Sequence, residues 1–311
     1  MKTSSNKLYT FLLTTSIFAT LGLASNLAQS ETSLLLNKPE DMTSAELTAA
    51  ALKKDLHALK ELGRRYQKGI GVEQNDKMAL SFFQKAALAH EDAESYFRLG
   101  ELSPEEDSAR YTIQAANLGY AQAQATIGIA LLESGEPEHT ELGLGYLGKA
   151  VEQEFPLGHA LMGKVYAHGL GVDVDHEKAL ALFKKGAAKG STTADYELGK
   201  VYLSALYGEN KDEKKALSHL KKAARNPDRT HAQIILGGMY VRGQGMAKSD
   251  LTEGYAWLKT GYEKEDNVKI KMNTKQILSI LDENFPLSQK LSALSRYSAL
   301  VEELNSSSYE P

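Results

Sequence analysis

The stretch ALMGKVYAHGLGVDVDHEKALALFKKGAAKG, residues 160–190, decides the fold. Met162 and Tyr166 stand four residues apart, on one face of a helix. Gly163, beside Met162, has no side chain and lets a second helix come close. Gly169 ends the first helix, as glycine does where a left-handed backbone is needed. Gly171 and Val172 make the turn, and Asp175 caps a second helix by accepting from its orphan amides. That helix runs through Ala179, Phe183, Ala187 and Ala188, with small residues where the two helices touch.

The same grammar is written over residues 58–90: Ala58, Leu62-Gly63, Tyr66, Gly69, Gly71-Val72, Asn75 or Asp76 as cap, then Ala79, Phe82, Phe83, Ala86 and Ala87. Working outward, an apolar-glycine pair recurs at Leu99-Gly100, Ile127-Gly128, Leu198-Gly199 and Leu236-Gly237. The six glycines are 37, 28, 35, 36 and 38 residues apart, and Tyr66, Tyr166, Tyr202 and Tyr240 follow four of them. A fixed period of this size predicts a solenoid, each unit burying its core only against its neighbours. A solenoid of this length is expected to be one continuous body. The second repeat loses the glycine turn, and Ser103-Pro104-Glu105-Glu106 is expected to supply a capping box with proline at the first helical position.

The pattern resembles the Sel1-like repeat family, a relative of tetratricopeptide repeats, over about residues 43–262. The resemblance implies an all-α fold: a right-handed superhelical solenoid of about six helix-turn-helix repeats. It also implies scaffold or adaptor roles in assembling protein complexes, in bacteria often in the cell envelope. Thr43 to Glu46 reads as a capping box opening the first helix. At the other end, Lys269 to Leu281 reads as helix, Phe285-Pro286 as a break, and Leu291, Leu294, Tyr297, Leu300 and Val301 as the face of a final helix. Residues 263–304 are thus expected to cap the stack, with a disordered tail at 305–311.

Residues 1–28 read as a secretory leader: Lys2 and Lys7, an apolar run from Leu8 to Leu23, then small residues. Cleavage after Ala24 places Gly22 and Ala24 at the small positions. Retention as an anchor would need about 20 apolar residues, and the run is shorter. Loss of Lys2 and Lys7 takes the formal net charge from −4 to −6. Residues 29–42 form an N-terminal extension. Cysteine is absent, which excludes disulfides, zinc–thiolate sites, a lipidated cysteine and cysteine nucleophiles. Net charge gives no sign of nucleic acid as partner.

No catalytic motif, cofactor or metal site is expected. The best histidine cluster, His168, Asp173, Asp175 and His176, lies around a turn whose aspartate already has a capping role. Gly69-Ile70-Gly71 and Gly243-Gln244-Gly245 follow helices rather than strands, so they read as helix ends and not as a dinucleotide fingerprint. In tetratricopeptide-type stacks the first helix of each pair lines the concave surface. Positions two before and two after the repeat leucine then face the groove: Lys60 and Arg64, Ala160 and Lys164, Tyr196 and Lys200, Ile234 and Gly238. Lys60, Arg64, Lys164, Tyr196 and Lys200 are the candidate binding residues, suited to acidic side chains or a carboxylate. The tyrosines of the repeat itself read as core. The sequence thus predicts a non-enzymatic protein-interaction scaffold, periplasmic or secreted, with a protein partner. A secreted factor engaging a host protein, or a glycan-binding or hydrolytic envelope protein, are the alternatives.

Overall fold

A computed structural model describes residues 38–306. The leader, most of the 29–42 extension and the tail beyond residue 306 lie outside the described residues. Among the described residues all regular structure is helical. The chain divides into two compact units, one ending at Leu118 and the other starting at Gly119, where a single body was expected.

The first unit follows a short 3₁₀ turn at Pro39–Asp41. It holds α1 (Ser44–Leu52), α2 (Leu56–Lys68), α3 (Asp76–His90), α4 (Ala93–Leu102) and α5 (Glu105–Asn117). Thr43 and Glu46 form the expected capping box, with Thr43 N–H donating to Glu46 Oε2 at 2.8 Å and Glu46 N–H to Thr43 Oγ1 at 3.3 Å. Gly69 ends α2 with φ of 69°, and Asn75 caps α3 by accepting from Met78 N–H at 3.1 Å. The α2–α3 approach is as close as the sequence requires: a Cβ on Gly63 would stand 2.7 Å from the Phe83 ring. Tyr66 stacks on Phe82 with centroids 5.6 Å apart. The capping box expected at Ser103 is not formed. Instead α5 starts after Pro104, which makes no side-chain cap bond. Glu105, Glu106 and Asp107 in the first turn answer the positive helix end instead.

The second unit contains α6 (Ala121–Glu133), α7 (Pro137–Glu152), α8 (Pro156–His168), α9 (His176–Ala188), α10 (Thr192–Ser204), α11 (Glu213–Ala223), α12 (Thr230–Arg242), α13 (Leu251–Lys264), α14 (Val268–Asn284) and α15 (Leu287–Ser306). Each consecutive pair from α6/α7 to α12/α13 packs at its repeat glycine. A Cβ on Gly128, Gly163, Gly199 or Gly237 would lie 2.6–2.8 Å from an atom of the second helix. Asp175, Asp212 and Asp250 cap the second helices, each accepting from the amide three residues on at 2.9–3.0 Å. The buried side chains of Phe183, Leu198, Leu220, Leu236, Met239 and Trp257 form one core through successive pairs.

Beyond α13 the chain does two things. Leu278 and Leu281 of α14 and Ala293 of α15 close over Tyr255 and Leu258, covering the end of the last pair. The second half of α15 then runs back along the repeats, and Leu300 and Leu304 join the core beside Ala223 and Trp257. The helix continues to Ser306, two residues into the segment expected to fray. No helix among the described residues is long and apolar enough to cross a membrane.

Candidate binding surface

The four cations that the sequence singled out are half-buried, and each is held by a carboxylate of its own unit. Lys60 pairs with Glu94 and with Asp92 at 3.6 Å, on the next helix pair. Arg64 donates through Nε and Nη2 to Glu61, both at 2.8 Å. Burial resists ionisation of Glu61, but the hydrogen bonds from Arg64 and Arg65 outweigh it and hold the carboxyl below its ordinary range. Lys164 lies 3.4 Å from Glu133. Lys200 lies 2.6 Å from Glu197 and over the Tyr196 ring at 4.9 Å. Of the companion positions, Ala160 is fully buried, Ile234 packs among Tyr255 and Leu258, and Gly238 is buried against the Arg242 guanidinium. Tyr196 is half-buried at the rim of a cavity of about 310 Å³, bounded by Arg229, His231 and Lys264, and burial pushes its phenol up.

The repeat tyrosines are built into the framework. Lys178 sits over Tyr166 at 5.2 Å and Lys215 over Tyr202 at 5.0 Å, each lysine three residues after its capping aspartate. In the sixth repeat that position is Glu253. Its carboxylate accepts from Arg296 Nε at 2.7 Å, from Arg296 Nη2 at 3.1 Å and from Trp257 Nε1 at 2.9 Å. A single change of charge thus turns a tyrosine cover into the clasp that holds α15.

Sequence reasoning passed over a row of buried polar residues three positions before the repeat leucine: Gln124, His159, Asp195 and Gln233. The signal was available, because the first two repeats place Leu59 and Tyr96 there. Gln124 accepts from Gln153 at 2.8 Å, Asp195 accepts from His219 Nδ1 at 2.7 Å, and the Gln233 amide donates to the carbonyls of Ala224 and Asn226 at 3.3 Å. These bonds tie each first helix to the loop or helix beside it.

His159 is the exception: it is fully buried, and neither ring nitrogen makes a hydrogen bond. Its Nε2 stands 3.5 Å from Glu154 Oε2, and Glu154 also holds Lys185 and Lys189 at 2.9 Å. Burial first, then Lys185, push the His159 pKa below its usual 6.5. Protonation therefore favours the unfolded chain, and stability falls as pH drops below about 6.5. Glu154, drawn down to about 2 by Lys189 and Lys185, adds a loss only as pH falls through 4.5 toward 2. His159→Leu is expected to leave the urea midpoint at pH 7 unchanged or higher and to remove much of the drop between pH 7 and 5. An unchanged drop in the variant would refute the assignment to His159.

The histidine cluster around the fourth turn is dispersed. Asp175 is engaged in capping α9 and pairing with Lys178 at 3.1 Å, while His176 stacks on Tyr207 at 4.6 Å. Among the described residues no three His, Asp or Glu side chains are grouped to hold a metal.

A larger concavity than that beside Tyr196 lies elsewhere in the second unit. It is an open groove of about 860 Å³ between the second half of α15 and the ends of α9, α11 and α13. Leu300, Leu304 and Trp257, all buried in the core, lie beneath it with half-buried Ala187, and Lys221 and Lys222 at the end of α11 and Arg225 just beyond it stand along one side. A second recess of about 210 Å³ shares Gly190 and Thr192 with it and adds Lys189 and Arg229.

The Sel1 repeat family profile matches residues 56–90, 156–191, 192–228 and 230–266. The helix pairs between them keep the same glycine contact, so the unmatched repeats differ in their turns and not in their packing. A Sel1 repeat protein from Oxalobacter formigenes is 25% identical, with a TM-score of 0.61 over 77% of this chain and 98% of that one. An alginate biosynthesis protein, AlgK, of Pseudomonas syringae pv. tomato is 27% identical over 143 residues, 46% of this chain. The match spans only 30% of that relative's length. Repeat grammar, glycine-mediated helix pairing and these likenesses agree: this chain carries Sel1 repeats at those four positions.

Proposed function

We propose that the protein is an exported, non-enzymatic scaffold that binds protein partners in the bacterial cell envelope. The observation that carries this reading is the division of labour within the repeats. Leucine, glycine, tyrosine and capping aspartate are consumed by packing, while the exposed side chains differ from repeat to repeat. Sel1 repeat proteins generally mediate protein–protein interaction, which supports the reading. The leader-like residues 1–28 support export, and a relative named for alginate biosynthesis supports work beside an exported polysaccharide. The first-helix positions Lys60, Arg64, Lys164, Tyr196 and Lys200 remain proposed contacts on the concave face. Their cations, already paired, would contribute orientation more than free charge, since a partner carboxylate must displace an internal one.

The test is photo-crosslinking in cells, with the crosslinking residue placed in turn at Arg64, Lys164 and Tyr196. A discrete, stoichiometric crosslinked protein in the periplasmic fraction is expected, together with a mature amino terminus just after Ala24. The scaffold reading fails if no position yields a crosslinked protein.

A further inference from the structure

We infer that the outward face of α14 is the contact through which two copies of this chain pair, antiparallel about Gln276; this goes beyond the scaffold reading and stands independently of it. The helix is packed from one side only, through Thr274, Leu278 and Leu281. At about 100° per residue, Lys269, Met272, Gln276, Ile280 and Glu283 fall within roughly 80° of arc on the opposite side. All five are exposed, Met272 by 66% and Ile280 by 53%. Val268, also exposed, flanks them at the amino end. A repeat stack is closed at its end by a polar outer face. This end keeps apolar side chains in water.

The order of residues along the strip selects the occupant. Its spacings of three, four, four and three residues read the same from either end, so an antiparallel copy centred on Gln276 matches it position for position. Lys269 then meets Glu283 of the second copy, Met272 meets Ile280, and Gln276 meets its own counterpart, each unlike contact made twice as two-fold symmetry requires. Within one chain Lys269 and Glu283 stand about 21 Å apart along the helix and cannot pair. Neither makes an ion pair among the described residues. Their neighbours are engaged: Asp282 with Lys290 at 3.4 Å, and Lys271 over the Tyr262 ring at 5.6 Å. Lys275 flanks the strip, where its stem keeps the ammonium in water. A parallel copy would set Lys269 against Lys269 and Glu283 against Glu283, so charge favours the antiparallel order. A foreign helix would have to carry the same palindrome; a second copy supplies it by construction. Two helices of this length bury on the order of 1,000 Å² together, the lower bound of a specific interface, so the pairing is reversible.

The test is sedimentation velocity of the full mature protein over about a hundredfold range of concentration. A reversible monomer–dimer equilibrium is expected, weakened about tenfold or more by Met272→Glu/Ile280→Glu, which sets charge in the apolar contact. Both sites are exposed, so the circular dichroism of that variant should match the wild type. Lys269→Glu and Glu283→Lys should each weaken the dimer, and an equimolar mixture of the two should restore it, since each then faces the opposite charge. The chain has no cysteine. Gln276→Cys should therefore oxidise to a disulfide-linked dimer, and Lys77→Cys, exposed in the first unit, should not. The inference is overturned by a monomer at every concentration, by a dimer that Met272→Glu/Ile280→Glu leaves intact, by a mixture no stronger than its components, or by equal oxidation at Gln276 and Lys77. A photo-crosslinker at Gln276 that captures a different protein in cells would likewise overturn it and assign the face to another partner. None of these readouts depends on the partner sought at Arg64, Lys164 and Tyr196.

Discussion

Gly237→Val should cost about 3 kcal/mol or more and rank among the most damaging single substitutions in the protein. A Cβ there would lie 2.7 Å from Leu258 N and 2.9 Å from Gly254 O, so the obstacle is the backbone of α13. Side chains rotate away from an intruder; a hydrogen-bonded helix backbone moves only as a body. The same holds for Gly128, which faces Leu147 N at 2.8 Å and Gly143 O at 2.9 Å. The atoms nearest a Cβ on Gly199 all belong to the Leu220 side chain, from 2.6 Å outward, and Gly199→Val should cost about 1–2 kcal/mol. Gly163→Val, against the Phe183 ring and Ala179 O, should fall between them. Urea unfolding followed by far-ultraviolet circular dichroism orders the four. Equal losses at Gly199 and Gly237 would contradict the backbone argument.

Glu253→Lys is expected to release the second half of α15. It restores the residue type found at this position in the fourth and fifth repeats, and sets it against Arg296. Three donors lose their acceptor together: Arg296 Nε, Arg296 Nη2 and Trp257 Nε1. Breaking a largely buried, hydrogen-bonded pair costs about 3–5 kcal/mol, and partial exposure of Arg296 places this case near 2–3. The effect should be confined to α15. Tyr297, which donates to Glu263 and lies under Lys259 at 5.0 Å, holds the middle of that helix independently. Trp257 is the protein's single tryptophan, so its fluorescence reports on this contact alone. A red shift with early proteolysis after residue 297 is expected, and Arg296→Met should give a milder form of both. A variant with unshifted emission and intact α15 would show that Leu300 and Leu304 suffice.

The period, the helix pairs, the cap at Asp175 and the core role of the tyrosines are all legible in the amino-acid sequence, while the choice of Asn75 over Asp76 as cap is made by the structure. They follow from short-range rules: spacing, a missing Cβ, a side chain that accepts from the amide three residues on. Ser103 departs from those rules. Pro104 keeps an extended backbone and sits just outside the helix, so the serine pattern misplaces the boundary by one residue. The candidate site is less legible. Lys60 and Lys164 look free in sequence, because Asp92, Glu94 and Glu133 are about 30 residues away and face them only when the pairs stack.

Sequence alone therefore determined the unit of this protein, an apolar-glycine-tyrosine helix pair repeated at a near-constant interval. A repeat's fold is written within some 35 residues, and local chemistry is enough to read it. Tertiary structure alone decided which charges distant in the chain meet. It paired Lys60 and Lys164 with carboxylates of neighbouring helices and brought α15 back to Glu253, whereas Arg64 and Lys200 find Glu61 and Glu197 within one helical turn. Charge compensation depends on distances between residues far apart in the chain, and those distances exist only after the repeats have stacked.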